Sequence, residues 1–339
     1  MCLDPGLARD HAVGHIILNH LGYAAPDVDG LLCESLQMGP DFGPERLPHR
    51  ALEQEWLTRV WRGIEQRPRS TLIKTSMLGR ALDALGASRF DIYAFTHSVM
   101  YATDFGQRPI KFPRTARAIT RDAEAALAYA LDTNDFDLTA EILLTWPMLG
   151  LRWTPIAVFA FQIIAKQHDN LGFLPGRAFT LTHYEKLSYE EQCRCMLSTS
   201  YHSTYAMGFL CAAALMQAPP GVPRDVLDAP RYSGAGAAMF QLLPNDEQED
   251  PCWTNAFGAL RPGQQHALAM LLLTMVLRRA RASGDLKLLR NGLEAALAYN
   301  LVDAPAPRHA AALLRRASLM PITGETSFKS ADANAKAPS

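Results

Sequence analysis

The chain predicts an all-α fold, and three observations carry that expectation. Apolar residues recur at three- and four-residue spacing almost throughout the 339 residues, the alternation and β-branched clusters of strands are nearly missing, and Pro or Gly breakers separate the periodic segments. In chain order the spacing predicts helices over roughly 8–22, 49–66, 71–86, 89–104, 114–132, 137–149, 154–167, 188–217, 264–283, 285–300 and 307–319. The breakers run from Pro40 to Pro48, Pro109 to Pro113, Gly172 to Gly176, Pro219 to Pro230, Pro244 to Pro262 and Pro305 to Pro307. Thr133-Asn134-Asp135 and Ser283-Gly284-Asp285 read as tight turns that fold consecutive helices into hairpins. Residues 1–326 are expected to form a single helical domain, and 327–339, small and polar, a disordered tail.

Charge divides these helices into two kinds. Helices 49–66 and 114–132 are studded with Arg, Glu and Asp, whereas nothing charged lies between Asp91 and Asp104 or between Arg152 and Lys166, and Glu141 stands alone between Asp137 and Arg152. A helix without charge on any side is expected to be buried on every side. Alternating covered and solvent-facing helices suit an α/α toroid of helical hairpins around a central cavity; an open α-solenoid of hairpins is the alternative.

Composition narrows the function classes. Thirty-three basic against 34 acidic residues leave a net charge of −1, with no Lys/Arg run to track phosphates, so nucleic acid is not an expected partner. The first residues, MCLDPGLARDHAVG, lack a basic segment followed by an apolar one, which points to the cytoplasm. Residues 195–218 are uncharged over a bilayer-spanning length, but Ser198 to Tyr205 are eight polar or amphipathic residues in succession. A helix buried in protein, not lipid, is expected there. The six cysteines are scattered and read as reduced thiols. There is no G-x-S-x-G, no HExxH and no phosphate-cradling glycine loop, so neither NAD nor ATP is implied, and Gly234-Ala235-Gly236 reads as a loop.

Candidate chemistry comes from the uncharged helices. At 100° per residue, Phe90, Tyr93, His97, Tyr101 and Asp104 fall within about 80° of one another, as do Cys195, Ser198, His202, Tyr205 and Phe209 on the later helix. Each stripe has a histidine at its middle followed by serine. His97, Tyr101, Asp104, Glu141, His202 and Tyr205 are therefore the candidate catalytic set. His97, His202 and Asp104 are the ligand types of a catalytic Zn, Fe or Cu ion; the same groups can equally serve as a metal-free acid/base pair with tyrosine as proton donor. His97 and Asp104 lie about 10 Å apart along a helix axis, so they meet only if the helix ends or bends. Glu141 can act as a general acid or pair with Arg152; His168 and His183 are secondary candidates in turn and loop positions. Taken singly, each histidine also reads as a hydrogen-bonded core group.

Two resemblances add to this. Gln167-His168-Asp169-Asn170-Leu171-Gly172-Phe173 resembles the Q-x-x-D-G-x-W/F turn of terpene cyclase and prenyltransferase α/α toroids, which implies that fold; their DDxxD or DxDD boxes and Cys/His zinc sites have no counterpart here. THSVMYATDFG at 96–106 and YHSTYAMGFLCA at 201–212 resemble an uncharacterised all-helical actinobacterial family associated with natural-product gene clusters. That resemblance supplies no activity; the His97 and His202 stripes with their Tyr and Asp neighbours lead to the expectation of an enzyme of secondary metabolism, a lyase, isomerase, cyclase or metal-dependent oxygenase, acting on a small or peptidic substrate. The other expectation is a non-catalytic helical scaffold that binds a peptide or protein partner.

Overall fold

The computed structural model describes residues 5–37, 45–65, 68–218, 220–223, 225–227, 234–243 and 252–319. The tail expected at 327–339 lies outside them. Among the described residues there is no strand. The helices are α1 (Ala8–His11), α2 (Val13–His20), α3 (Pro26–Gln37), α4 (Pro48–Arg62), α5 (Ser70–Thr75), α6 (Arg89–Ala102), α7 (Ala116–Asp132), α8 (Phe136–Leu143), α9 (Thr145–Met148), α10 (Pro155–Leu171), α11 (Leu181–Tyr184), α12 (Tyr189–Leu215), α13 (Ala235–Gln241), α14 (Trp253–Gly258), α15 (Pro262–Ala267), α16 (Ala269–Ser283), α17 (Leu286–Ala298) and α18 (Pro305–Leu319). None is long and apolar enough to cross a membrane. Cys33, Cys193, Cys195, Cys211 and Cys252 are free thiols.

Caps set the boundaries that position the site. Ser88 and Asp91 form a capping box at the start of α6, Asp135 caps α8 through the Leu138 N–H, and Ser188 with Glu191 boxes α12. The short turn before Asp135 delivers α8 straight back against α7, as its sequence predicts. α8 is buried along almost its whole length, packed by α6, α7, α10 and α12; α16 is buried likewise among α7, α13, α17 and α18. A bidentate Arg279–Asp132 pair, at 2.8 to 3.2 Å, ties α16 to the end of α7.

Three expectations are overturned. Helix 71–86 is only α5 followed by turns: Gly79 sits where a Cβ would lie 1.8 Å from the Lys74 carbonyl, a chain approach that a continuous helix does not make. Gly234-Ala235-Gly236 opens α13, with Gly236 so close to α15 that a Cβ would stand 2.0 Å from the Gln265 carbonyl. These small residues serve helix packing, not a loop. Finally, α12 is not buried on every side. Ser200, Ser203, Ala206, Met207, Leu210 and Ala214 face the protein, mainly α8, while Leu197, Tyr201, Tyr205 and Met216 are 61%, 63%, 74% and 85% exposed. Lack of charge does not require burial, because Ser, Thr, His and Tyr meet water at little cost.

Candidate functional site

α8 organises a polar cluster, because Asp137 and Glu141 sit one turn apart and so share a face. α12 packs along α8 and brings His202 to that face, with Nδ1 2.7 Å from Asp137 Oδ1. α6 approaches from the other flank. Its Thr96 hydroxyl donates to Glu141 Oε2 at 2.8 Å, and His97 Nε2 stands 3.8 Å from the same oxygen. The carboxylates of Asp137 and Glu141 and the imidazole of His202 offer three ligand-type atoms within 4.8 Å of one another.

The surroundings are graded from wet to dry. His202 is half exposed, Asp137 mostly buried and Glu141 buried. Arg89 donates to Asp135 at 2.7 Å and more loosely to Asp137 at 3.4 Å, so one guanidinium bridges the cap of α8 and the site. The hydrogen bond that His202 Nδ1–H donates to Asp137 raises the His202 pKa above its ordinary value, against the opposing effect of partial burial. Tyr93, tilted against His97 with ring centroids 3.8 Å apart, is pushed up to about 12 by burial and by Glu141. His49 is lowered by burial first and then by the charge of Arg50. His97 is itself buried, and its Nδ1 has no hydrogen-bond partner among the described residues.

His49, Arg50, Arg80, Arg89, Tyr93, Asp137 and His202 open onto a cavity of about 570 Å³. A second, larger cavity of about 1460 Å³ lies further along the same helices, lined by Trp56, Arg59, Asp104, Phe105, Tyr205 and Phe209 among others. The candidate residues thus divide between two places. His97, Glu141 and His202 gather on α8, whereas Asp104 and Tyr205 belong to the larger cavity. α6 does end before Asp104, but the turn that follows carries its carboxylate to Trp56 Nε1 at 2.7 Å and Arg108 Nε at 2.9 Å, and not toward the histidines. Tyr101 lies between, buried, its hydroxyl donating to Glu53 at 2.8 Å and its pKa raised by burial and by that carboxylate.

The secondary candidates stand elsewhere. Glu141 takes Thr96 and His97 as neighbours, while Arg152 lines the larger cavity. His168 is at the end of α10, 3.9 Å from the exposed Asp169, and His183 is on exposed α11. The resembling turn at Gln167 is the left-handed Gly172 cap of α10, with Phe173 buried against Phe179 and Tyr184. Asp137 was not among the candidates. Its signal was the i, i+4 carboxylate pair of D-L-T-A-E, hidden because an acidic residue in a first turn ordinarily serves the helix dipole.

A family model described as a domain of unknown function, DUF6895, matches residues 1–212. The chain belongs to this family. The matched region holds every residue of the α8 cluster, His202 included. No curated protein and no solved structure matches the chain.

Proposed function

We propose that the chain is an enzyme acting by acid/base chemistry on a small or peptidic substrate in the cleft beside α8. His202 is the proton-transferring group. The observation that carries this is its 2.7 Å contact with Asp137, which itself is held by Arg89. A carboxylate accepting from Nδ1–H fixes the tautomer and leaves Nε2 as base, and the raised pKa makes it a stronger one. Tyr93, protonated throughout, is the matching donor in the same cavity.

One observation favours a metal in the same place. The three ligand atoms of Asp137, Glu141 and His202 lie within 4.8 Å, with His97 Nε2 beside Glu141, the mixed N/O set of a Zn, Fe or Cu site. The ligand set differs from the sequence expectation, with Asp137 and Glu141 standing where Asp104 was placed. Secondary metabolism of an actinobacterium, the cytoplasm, a closed α/α toroid and a single domain over 1–326 complete the proposal; the two motif resemblances and the covered helices α8 and α16 support them. The exposed α12 face at Leu197, Tyr201 and Tyr205 is the feature in favour of a scaffold that binds a peptide instead.

The test pairs chemistry with metal content. Extract from cells rich in secondary metabolites is incubated with wild type and with His202→Gln, and substrate loss is followed by mass spectrometry. Wild type is expected to consume a compound at least about 100-fold faster than the variant. Equal rates overturn the acid/base role of His202. Stoichiometric metal in wild type that is lost in Asp137→Asn assigns the pair to metal binding.

A further inference from the structure

The larger cavity has no part in the proton-transfer site. At about 1460 Å³ it exceeds the usual ligand pocket of roughly 300 to 1,000 Å³. Its wall is aromatic: Phe105 stands between Trp56, with ring centroids 5.0 Å apart, and Phe209 at 5.4 Å, and Trp153 and Met148 also line the cavity. The backbone that presents Phe105 is strained. Asp104, Phe105 and Gly106 have φ of 52°, 53° and 84°, three successive left-handed residues of which only the glycine is at ease. Gly106 is pressed against α9, where a Cβ would meet the Met148 backbone at 3.1 Å, so the turn cannot relax backwards. Leu21, Tyr205 and Met216 rim the opening, 65%, 74% and 85% exposed, which leaves a continuous apolar path from solvent to the wall.

The charged groups of the lining favour an anion. They are Arg59, Arg108 and Arg152 against Asp104 and Glu65. Asp104 is already neutralised by Arg108. Arg59 is buried, donates to the Tyr101 carbonyl at 3.3 Å and lies near Asp104 and Glu55, so its charge is already met from within the protein. Arg152 is at the exposed edge.

We propose that this cavity binds an amphiphile: a long-chain carboxylate whose apolar chain lies along Trp56, Phe105, Trp153 and Phe209 and whose head faces the Arg152 guanidinium at the exposed edge. The site is separate from the His202 cleft. From Tyr93, at that cleft, α6 runs nine more residues to Ala102, about 13 Å along its axis, before the turn that carries Phe105.

Trp56 and Trp153 report binding directly. Tryptophan fluorescence of the full chain is titrated with decanoate, dodecanoate, tetradecanoate and 1-dodecanol, each below its micelle concentration. Saturable changes are expected, with Kd tightening about fourfold for each added methylene, and dodecanoate binding on the order of tenfold tighter than dodecanol. Ala212→Tyr, at an exposed lining position on α12, narrows the entrance and should weaken every ligand at least about tenfold. Arg152→Gln should reduce the preference for carboxylate and leave dodecanol unchanged. His202→Gln should leave all four curves as they are, which keeps this site distinct from the proton-transfer proposal. No saturable change, no dependence on chain length, or wild-type affinity in Ala212→Tyr overturns the site; equal binding of dodecanol and dodecanoate overturns the anionic head.

Discussion

The two ends of the α4–α6–α12 face solve opposite problems with the same kinds of residue. At the α8 end, titratable groups hold one another through single contacts near an opening: His202 with Asp137, His97 beside Glu141, Thr96 on Glu141. At the far end, one carboxylate, Asp104, is clamped by Trp56 and Arg108 on a strained turn behind an aromatic wall. Both ends contain a carboxylate, and the one on a histidine-centred stripe of the sequence, Asp104, lies at the far end. The α8 end keeps imidazoles beside its carboxylates, which the proposed proton transfer needs; at the far end Asp104 holds the shape of a turn.

That contrast predicts unequal costs of substitution, and the largest falls on Asp104. Asp104→Ala removes the acceptor of Trp56 Nε1, leaves Arg108 without its 2.9 Å partner and puts a Cβ residue without local hydrogen bonding at φ 52°. A loss of about 2 to 4 kcal/mol is expected. Asp104→Asn keeps the acceptor and tolerates the left-handed backbone, and should cost about half as much. Urea denaturation measures both. If the two variants are equally stable, the strained turn is not what Asp104 secures.

Tyr101 joins the ends, and its removal should be intermediate. Tyr101→Phe keeps the ring between Trp56, at 5.5 Å, and His97, at 5.5 Å, but takes away the 2.8 Å hydrogen bond to Glu53. About 1 to 2 kcal/mol should be lost. A variant as stable as wild type would mean that water replaces the hydroxyl, and that the two ends are less firmly divided than the buried ring implies.

How much of this was legible follows from what periodicity can and cannot carry. The all-α class, the hairpin turns at Asp135 and Asp285 and the histidine stripes came from spacing and turn chemistry, which act within a few residues. The pairing of His202 with Asp137 depends on how α12 lies along α8, and no local pattern encodes that. The same reason misplaced Asp104. Helical projection put it under His97, yet α6 stops at Ala102 and the next residues turn away, a change of direction signalled only by Gly106. α12 misled through composition: its Ser, Thr and Tyr residues were read as cavity-lining when several face solvent.

The smallest expected effect is at His202, and its sign is the sharpest check of the comparison. Its side chain is 48% exposed, so His202→Gln should change stability by less than about 1 kcal/mol, well below Asp104→Ala. What remains should depend on pH. Hydrogen bonding to Asp137 raises the folded-state pKa above 6.5, so the folded protein holds the proton more tightly than the unfolded chain does. The contribution is complete below 6.5 and disappears as pH rises through the higher folded value. Melting curves at about pH 5.5 and about pH 8.5 should therefore show wild type ahead of His202→Gln at the lower pH and level with it at the higher. Asp137→Asn should lower the His202 pKa, followed by NMR of the imidazole protons. A pKa that does not fall in that variant would show that Asp137 does not orient the imidazole, and His202 would lose the feature that separates it from an ordinary surface histidine.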